Sequence, residues 1–271
     1  MMDSITVKKE IVKFEDGQLI DEEDLIVTEY PLTIILNQQE FATMVCTPSE
    51  LDELVIGFLA SEGVIRFRDE IKSLHIDSGQ GYAYVETVAE VSTSQEYYSK
   101  RFIGSCCGKG RQFYFVNDAK TAKTSTSTLT LTPEECISLM NEMQQSSTIF
   151  KDTGGVHNAA LCSPTNMIVN RTDIGRHNAL DKIYGHCLIN KIPVRDKVIV
   201  FSGRISSEVL LKAAKIGVGI VLSKSAPTDL AIKMADELNI TAVGFIRGGK
   251  LNVYTHPERI VQLQDSFENT P

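Results

Sequence analysis

The chain contains no tryptophan among its 271 residues and no internal repeat. Long apolar runs are missing as well. The longest, such as Pro31 to Leu36 and Val198 to Phe201, fall far short of the roughly 20 residues a membrane span needs. A secretory signal is lacking, because Met1 to Glu10 carries Asp3, two lysines and a glutamate, with neither an apolar core nor a small-residue cleavage site. Nor is there a basic surplus: the net charge is −8, which argues against a general binder of nucleic acid or of anionic membrane. Without an export signal the expected location is the cytoplasm. The six cysteines, Cys46, Cys106, Cys107, Cys136, Cys162 and Cys187, are then expected to be mostly reduced rather than joined in a disulfide framework.

What remains is ordinary globular composition, with 42% hydrophobic and 23% charged residues. The length suits two domains. The first, residues 1–120, reads as strands and turns with one helix. Asp16-Gly17 suits a tight hairpin turn, and Leu32 to Leu36 and Phe41 to Cys46 read as strands around Asn37-Gln38-Gln39. Thr47-Pro48-Ser49-Glu50 resembles a helix start, with Thr47 as cap, ahead of Leu51, Leu54, Val55, Phe58 and Leu59 at helical spacing. A polar strand region, Ser73 to Thr93, leads to a cysteine loop. The Ser/Thr-rich stretch Thr121 to Thr128 is the best linker candidate.

Beyond it, over 121–271, helices and strands alternate. Thr132-Pro133-Glu134-Glu135 repeats the capping signal and opens a helix to about Met143. Strands are expected at Val156 to Cys162, Met167 to Asn170, Val198 to Phe201, Gly219 to Leu222 and Ala242 to Ile246. Helices are expected at Asn178 to Ile189, Ser206 to Lys215 and Pro227 to Leu238, and a hairpin at Gly248-Gly249 returns through Leu251 to Tyr254. Such alternation implies an α/β layer architecture with a mostly parallel sheet.

Three segments can carry chemistry. In Gly104-Ser105-Cys106-Cys107-Gly108-Lys109-Gly110-Arg111 the glycines keep the backbone permissive. Lys109 and Arg111 favour thiolate, the form of cysteine that attacks sulfur. The plain alternative is a structural turn with incidental thiols, since free cysteine is most often a small buried hydrophobe. The other four cysteines sit in apolar, periodic settings and read as core. A second set follows strand ends: Ser202-Gly203-Arg204, Ser223-Lys224-Ser225 and Arg247-Gly248-Gly249-Lys250. Loops outside the carboxyl ends of strands collect ligands in open α/β sheets, and amides, hydroxyls and cations there suit a phosphate-bearing one. The third set is His157, in Thr153-Gly154-Gly155-Val156-His157, with Arg176 and His177, in Asp173-Ile174-Gly175-Arg176-His177-Asn178. His75, His186 and His256 carry no functional weight.

Together these segments resemble the FdhD family of sulfur carriers required for formate dehydrogenase activity. The resemblance covers most of the chain. It includes Glu29-Tyr30-Pro31-Leu32, Cys46-Thr47-Pro48, Gly57-Phe58-Leu59, the cysteine loop, both histidine segments, Phe201-Ser202-Gly203-Arg204, and Gly244-Phe245-Ile246-Arg247 running to Asn252-Val253-Tyr254. It implies a cytidine-deaminase-like three-layer fold for the C-terminal half beside the smaller β-rich N-terminal domain. It also implies a sulfurtransferase-like role: sulfur is taken as a cysteine persulfide from a cysteine desulfurase and passed to the molybdenum cofactor before insertion into formate dehydrogenase. The implied client is the bis(molybdopterin guanine dinucleotide) form, with Phe245 to Lys250 in its binding segment. Many relatives carry Cys-x-x-Cys in the loop, whereas here Cys106 and Cys107 are adjacent. Aligned on the following glycine, Cys107 is the expected carrier and Cys106 its partner. Adjacent cysteines close only a strained ring, so a stable disulfide between them is not expected.

The resemblance does not extend to deaminase chemistry or to tightly held zinc, because Pro-Cys-x-x-Cys is absent and the nearest approach to His-x-Glu is His157-Asn158-Ala159. Two alternatives remain: a hydrolase of nucleotide-like substrates, and a redox or metal-binding module built on vicinal thiols. A homodimer is expected, since two-fold pairs are the commonest soluble assembly.

Overall fold

The computed structural model describes residues 4–89, the backbone of 101–103, and residues 122–262. The chain forms two compact units, but not by a single cut. One comprises Met1–Thr121, Ser146–Ala159 and Asn170–Ile192; the other comprises Ala122–Gln145, Ala160–Val169 and Pro193–Pro271. The first change of unit falls between Thr121 and Ala122. Two later segments nevertheless group with the N-terminal part, because the dividing points fall inside strands rather than in a linker.

The first unit opens with a hairpin, β1 (Thr6–Glu15) and β2 (Gln18–Val27), a two-stranded sheet among the described residues. Asp16 and Gly17 both take positive φ, 51° and 83°, as a two-residue turn with the twist of the strands requires. Next come β3 (Tyr30–Leu36), β4 (Gln39–Cys46), β5 (Ile71–Asp77), β6 (Tyr82–Thr87) and β7 (Arg101–Ile103), in a sheet of order β5-β6-β3-β4-β7. Alternating side chains from this sheet, Leu32, Ile34, Leu36, Met44, Ala83 and Val85, are buried with the apolar face of α1 (Leu51–Ser61).

The expected cap of α1 is not formed. Glu50 occupies the cap position in left-handed geometry and makes no side-chain cap bond. Thr47 is drawn instead into a buried polar cluster described below.

The second unit begins with an extended stretch that the sequence read as a linker. It is packed: Ser125 and Ser127 are buried, the Ser127 hydroxyl donates to the Arg195 carbonyl at 2.7 Å, and the Ser125 amide donates to Leu238. Small hydroxyl side chains here take the hydrogen-bonding role that a strand neighbour would otherwise fill. α2 (Pro133–Ser146) follows with both bonds of a capping box: the Thr132 amide donates to Glu135 Oε2 at 2.7 Å, and the Glu135 amide to Thr132 Oγ1 at 3.2 Å.

After α3 (Thr148–Thr153) come β8 (His157–Cys162), β9 (Met167–Asp173), α4 (Arg176–Ile189), β10 (Val198–Phe201), α5 (Ser207–Ile216), β11 (Ile220–Ser223), α6 (Asp229–Glu237), β12 (Thr241–Arg247) and β13 (Lys250–Val253). The sheet order is β13-β12-β11-β10-β8-β9. β10 pairs parallel with β11 and β11 with β12, while β13 returns antiparallel. Every residue of β10 and β11 is buried, as expected of strands covered on both faces. The result is a mixed α/β protein with several sheets.

Candidate functional site

In the second unit, the sequence-predicted loops stand at the carboxyl ends of parallel strands. Ser202, Gly203 and Arg204 follow β10, and Lys224 and Ser225 follow β11. The two loops are tied together: buried Ser223 donates its hydroxyl to the Gly203 carbonyl at 2.7 Å and accepts from the Ser225 amide at 2.9 Å. The Ser225 carbonyl in turn accepts from the Phe245 amide at 3.2 Å, which fixes the end of β12 against the same loop.

There β12 bulges between Gly244 and Arg247, and Phe245 sits at φ 54°, a left-handed conformation that costs a non-glycine residue roughly 1–2 kcal/mol. A Cβ on Gly244 would lie 2.8 Å from the Ser225 carbonyl, so the close approach requires glycine. The guanidinium of Arg247 stands 5.4 Å from the centroid of the Phe245 ring. Gly248 and Gly249 form the turn to β13, with Arg247 facing Lys250 across the hairpin.

Arg204, Lys224, Arg247 and Lys250 are exposed, and Lys224 donates to Gln144 at 2.8 Å. The sequence places helix starts beside these loops at Ser206 and Pro227. Ser206 does cap α5, accepting from the Val209 amide, but α6 is capped by Thr228, accepting from Ala231. Pro227 forms a bridge with Ile205 instead.

In the first unit, a fully buried carboxylate organises the second predicted segment. Asp173 Oδ1 accepts from the Gly175 amide at 2.8 Å and from Asn178 Nδ2 at 2.9 Å. Its Oδ2 accepts from the Thr47 amide at 3.1 Å and the Thr47 hydroxyl at 2.9 Å, and lies 2.9 Å from Lys182 Nζ. Lys182, also fully buried, donates to Thr47 Oγ1 at 2.8 Å, to Ser49 Oγ at 3.2 Å and to the Thr172 carbonyl at 3.1 Å. This cluster fixes the turn from which Arg176 and His177 start α4. Sequence reading missed Thr47 and Lys182. The available signal was a lysine at a position of α4 flanked by Leu180 and Ile183 on the apolar face.

His157, half-buried at the start of β8, feels both Arg176 and Asp173. Burial first, then the Arg176 charge, lowers its pKa below the usual 6.5, and Asp173 opposes the shift. The folded state therefore favours neutral imidazole and the unfolded chain binds more protons. Its contribution to stability is complete above pH 6.5 and is lost as pH falls through the lowered folded value. A His157→Gln variant is expected to lose stability less steeply than the parent between about pH 6.5 and pH 5 in urea titrations. Equal slopes would remove His157 as the source.

His186, given no functional role from sequence, has a structural one. Its Nδ1 lies 2.8 Å from Glu53 Oε1, which also accepts from Arg171 Nη2 at 2.7 Å. Burial alone would raise the Glu53 carboxyl, but the bonds from Arg171 and His186 outweigh it and hold its pKa below the usual range.

Cys46, Cys136, Cys162 and Cys187 are buried free thiols, as their periodic settings suggested. Burial pushes Cys136, Cys162 and Cys187 each up to about 12 and raises Cys46 as well. Cys106 and Cys107 lie outside the described residues. Among the described residues no helix is long and apolar enough to cross a membrane.

The fold and its strand-end loops define a mixed α/β protein of two units, with the sequence-predicted glycines and cations of the second unit set beyond its parallel strands. Comparison with known proteins gives the particular family. The profile of the FdhD/NarQ family matches residues 27–261, and the chain belongs to that family. It is 64% identical over 260 residues to the sulfur carrier protein FdhD of Bacillus subtilis, covering 96% of this chain and 99% of that one. It is 58% identical to the protein of the same name from Staphylococcus aureus, covering 97% and 100%. Among solved structures it is similar to that of a protein from Desulfotalea psychrophila assigned as a formate dehydrogenase accessory protein. That match has a TM-score of 0.78 and 25% identity and covers 95% of this chain and 100% of that one.

Proposed function

We propose that this chain is a sulfur carrier required for formate dehydrogenase activity, working through a persulfide on Cys107. The observation that carries the reading is end-to-end likeness to proteins named as sulfur carriers, at 64% identity. Thiol acidity supports the choice of residue. A thiol with a pKa near 12 is ionised at roughly one part in 10⁵ at pH 7, too little to act as a nucleophile. Of six cysteines, the four buried ones are disfavoured in this way, which leaves Cys106 and Cys107.

In the first step the Cys107 thiolate attacks the outer sulfur of a persulfide on a cysteine desulfurase. The donor S–S bond breaks, the donor cysteine leaves as thiolate, and Cys107 holds Cys–S–SH, with Cys106 as the neighbouring thiol. In the second step sulfur passes to the molybdenum cofactor as sulfide, with two electrons drawn from a thiol reductant, before the cofactor enters formate dehydrogenase.

The client cofactor, bis(molybdopterin guanine dinucleotide), carries pyrophosphates. Exposed Arg204, Lys224, Arg247 and Lys250, beside Ser202, Gly203, Phe245, Ile246, Gly248 and Gly249, offer cations and amides of suitable chemistry. His157, Arg176 and His177 of the first unit are proposed as a separate set of contacts. The second unit is read as cytidine-deaminase-like in architecture, without deaminase chemistry, and the protein as cytoplasmic.

Incubation with a desulfurase and cysteine is expected to add the mass of one sulfur to Cys107, removable by reductant and absent in Cys107→Ala. A strain carrying that variant is expected to lose formate dehydrogenase activity. Sulfur mapped to Cys162, or to no cysteine, would overturn the mechanism.

A further inference from the structure

Among the cations at the strand-end loops, Lys224 is held by a side chain to which the sulfur-carrier reading gives no role. Gln144 stands half-buried near the end of α2, in the same unit as Lys224. Its Nε2 donates to the Met140 carbonyl, one turn back, at 3.3 Å, and its Oε1 accepts from Lys224 Nζ at 2.8 Å. An ammonium only donates and a carbonyl only accepts, so both contacts demand the same orientation of the amide. The main chain of Lys224 is tied as well, its amide donating to the Phe201 carbonyl at 3.4 Å. The residue is thus restrained at both ends while it remains exposed.

The charge of this partner sets it apart. Elsewhere on the surface, ammonium groups meet carboxylates: Lys8 meets Glu23 at 2.8 Å, Lys72 meets Glu86 at 3.1 Å and Lys233 meets Asp229 at 2.9 Å. Such a pair cancels the charge it positions. Among the described residues no carboxylate pairs with Lys224. A neutral amide restrains the side chain and leaves its charge uncancelled. It occupies one ammonium donor, and the other N–H groups remain for a ligand. Ordering a long side chain costs conformational entropy, and here that loss falls on folding rather than on binding.

We infer that Gln144 is a positioning residue, whose uncharged amide holds Lys224 ready for a phosphate group of the ligand at these loops. This rests on the phosphate-bearing client proposed above and adds the side chain that prepares its site. An amide, rather than a carboxylate of nearly equal size, is what the task requires. Glutamate would accept the same bond but turn the free cation into half of an ion pair.

Calorimetric titration of the full chain with guanosine diphosphate at low ionic strength tests this, with guanosine as the phosphate-free control. Lys224→Gln is expected to weaken diphosphate binding about tenfold and to leave guanosine binding unchanged. Gln144→Glu is expected to weaken the diphosphate by a similar factor, with circular dichroism unchanged. A merely structural role predicts the reverse, since glutamate holds the lysine at least as well. In the Lys224→Gln background the same glutamate should weaken binding about twofold or less, because the charge it cancels is gone. Gln144→Ala is expected to weaken binding about threefold, through lost restraint alone. Parental affinity in Gln144→Glu, beside a weakened Lys224→Gln, overturns the inference and leaves the phosphate site standing. So does tighter binding by Gln144→Ala, which would mean that the amide withholds the lysine. Absence of diphosphate binding by the parent at about 1 mM, or an unaffected Lys224→Gln, removes the phosphate site and the inference with it.

Discussion

Replacing Gly185 with alanine is expected to cost about 4 kcal/mol or more, a large fraction of the stability of a typical domain. α1 and α4 cross with their backbones in contact. A Cβ on Gly185 would collide with the Glu53 carbonyl oxygen and lie 2.6 Å from its carbon and 2.8 Å from the Glu53 Cα. A Cβ on Gly57, on the facing helix, would collide with the Asp181 carbonyl and lie 2.7 Å from the Gly185 amide nitrogen. These obstacles are backbone, which cannot rotate away, so the helices must separate and open the core that Leu54, Val55 and Phe58 share with the sheet. Urea unfolding of Gly57→Ala and Gly185→Ala checks this against Gly79→Ala, where the added methyl meets a side-chain oxygen at an ordinary 3.5 Å. The control should fall within about 0.5 kcal/mol of the parent. If Gly185→Ala unfolds with the parent, the crossing is looser than described.

Lys182→Met is expected to cost about 3–5 kcal/mol, because it leaves the Asp173 carboxylate buried without its cation. The deletion is costlier than its lost contacts suggest, since an unpaired charge in the interior keeps its full desolvation penalty. Asp173→Asn should be similarly severe, since its amide nitrogen cannot accept hydrogen bonds and five donor contacts converge on the two carboxylate oxygens. A second readout separates this cluster from a merely stabilising one. It fixes the turn that begins at Asp173, so chemical shifts at Arg176 and His177 should move in any variant that still folds. A loss below about 1 kcal/mol for Lys182→Met would show that the pair is not the hub of this turn.

The same cluster shows what could be read in advance and what could not. Thr47-Pro48-Ser49-Glu50 and Thr132-Pro133-Glu134-Glu135 look alike as sequence. The second forms a capping box with both bonds in place, because its partners lie three residues apart. The first does not, because Thr47 bonds Asp173 and Lys182, 126 and 135 residues away. Local pattern contains local partners and is silent about distant ones. For the same reason the Asp16-Gly17 turn, the helix spacing of α1 and the alternation of β10 through β12 were legible, while the packing of Ser125 and Ser127 was not: their hydroxyl-rich composition matches that of a linker. The positions of Ser202, Gly203 and Arg204 beyond β10, and of Gly248 and Gly249 beyond β12, were legible from strand boundaries. Their fastening to one another through Ser223 needed coordinates.

At the bulge of β12 the left-handed Phe245 is clamped by the Ser225 carbonyl on one side and the returning β13 on the other. Conformational strain of this sort persists because the surrounding ladder over-determines it. The main chain at that corner, which presents the Phe245 ring, is therefore set during folding, so a ligand of the kind proposed above would meet a finished backbone with little left to freeze.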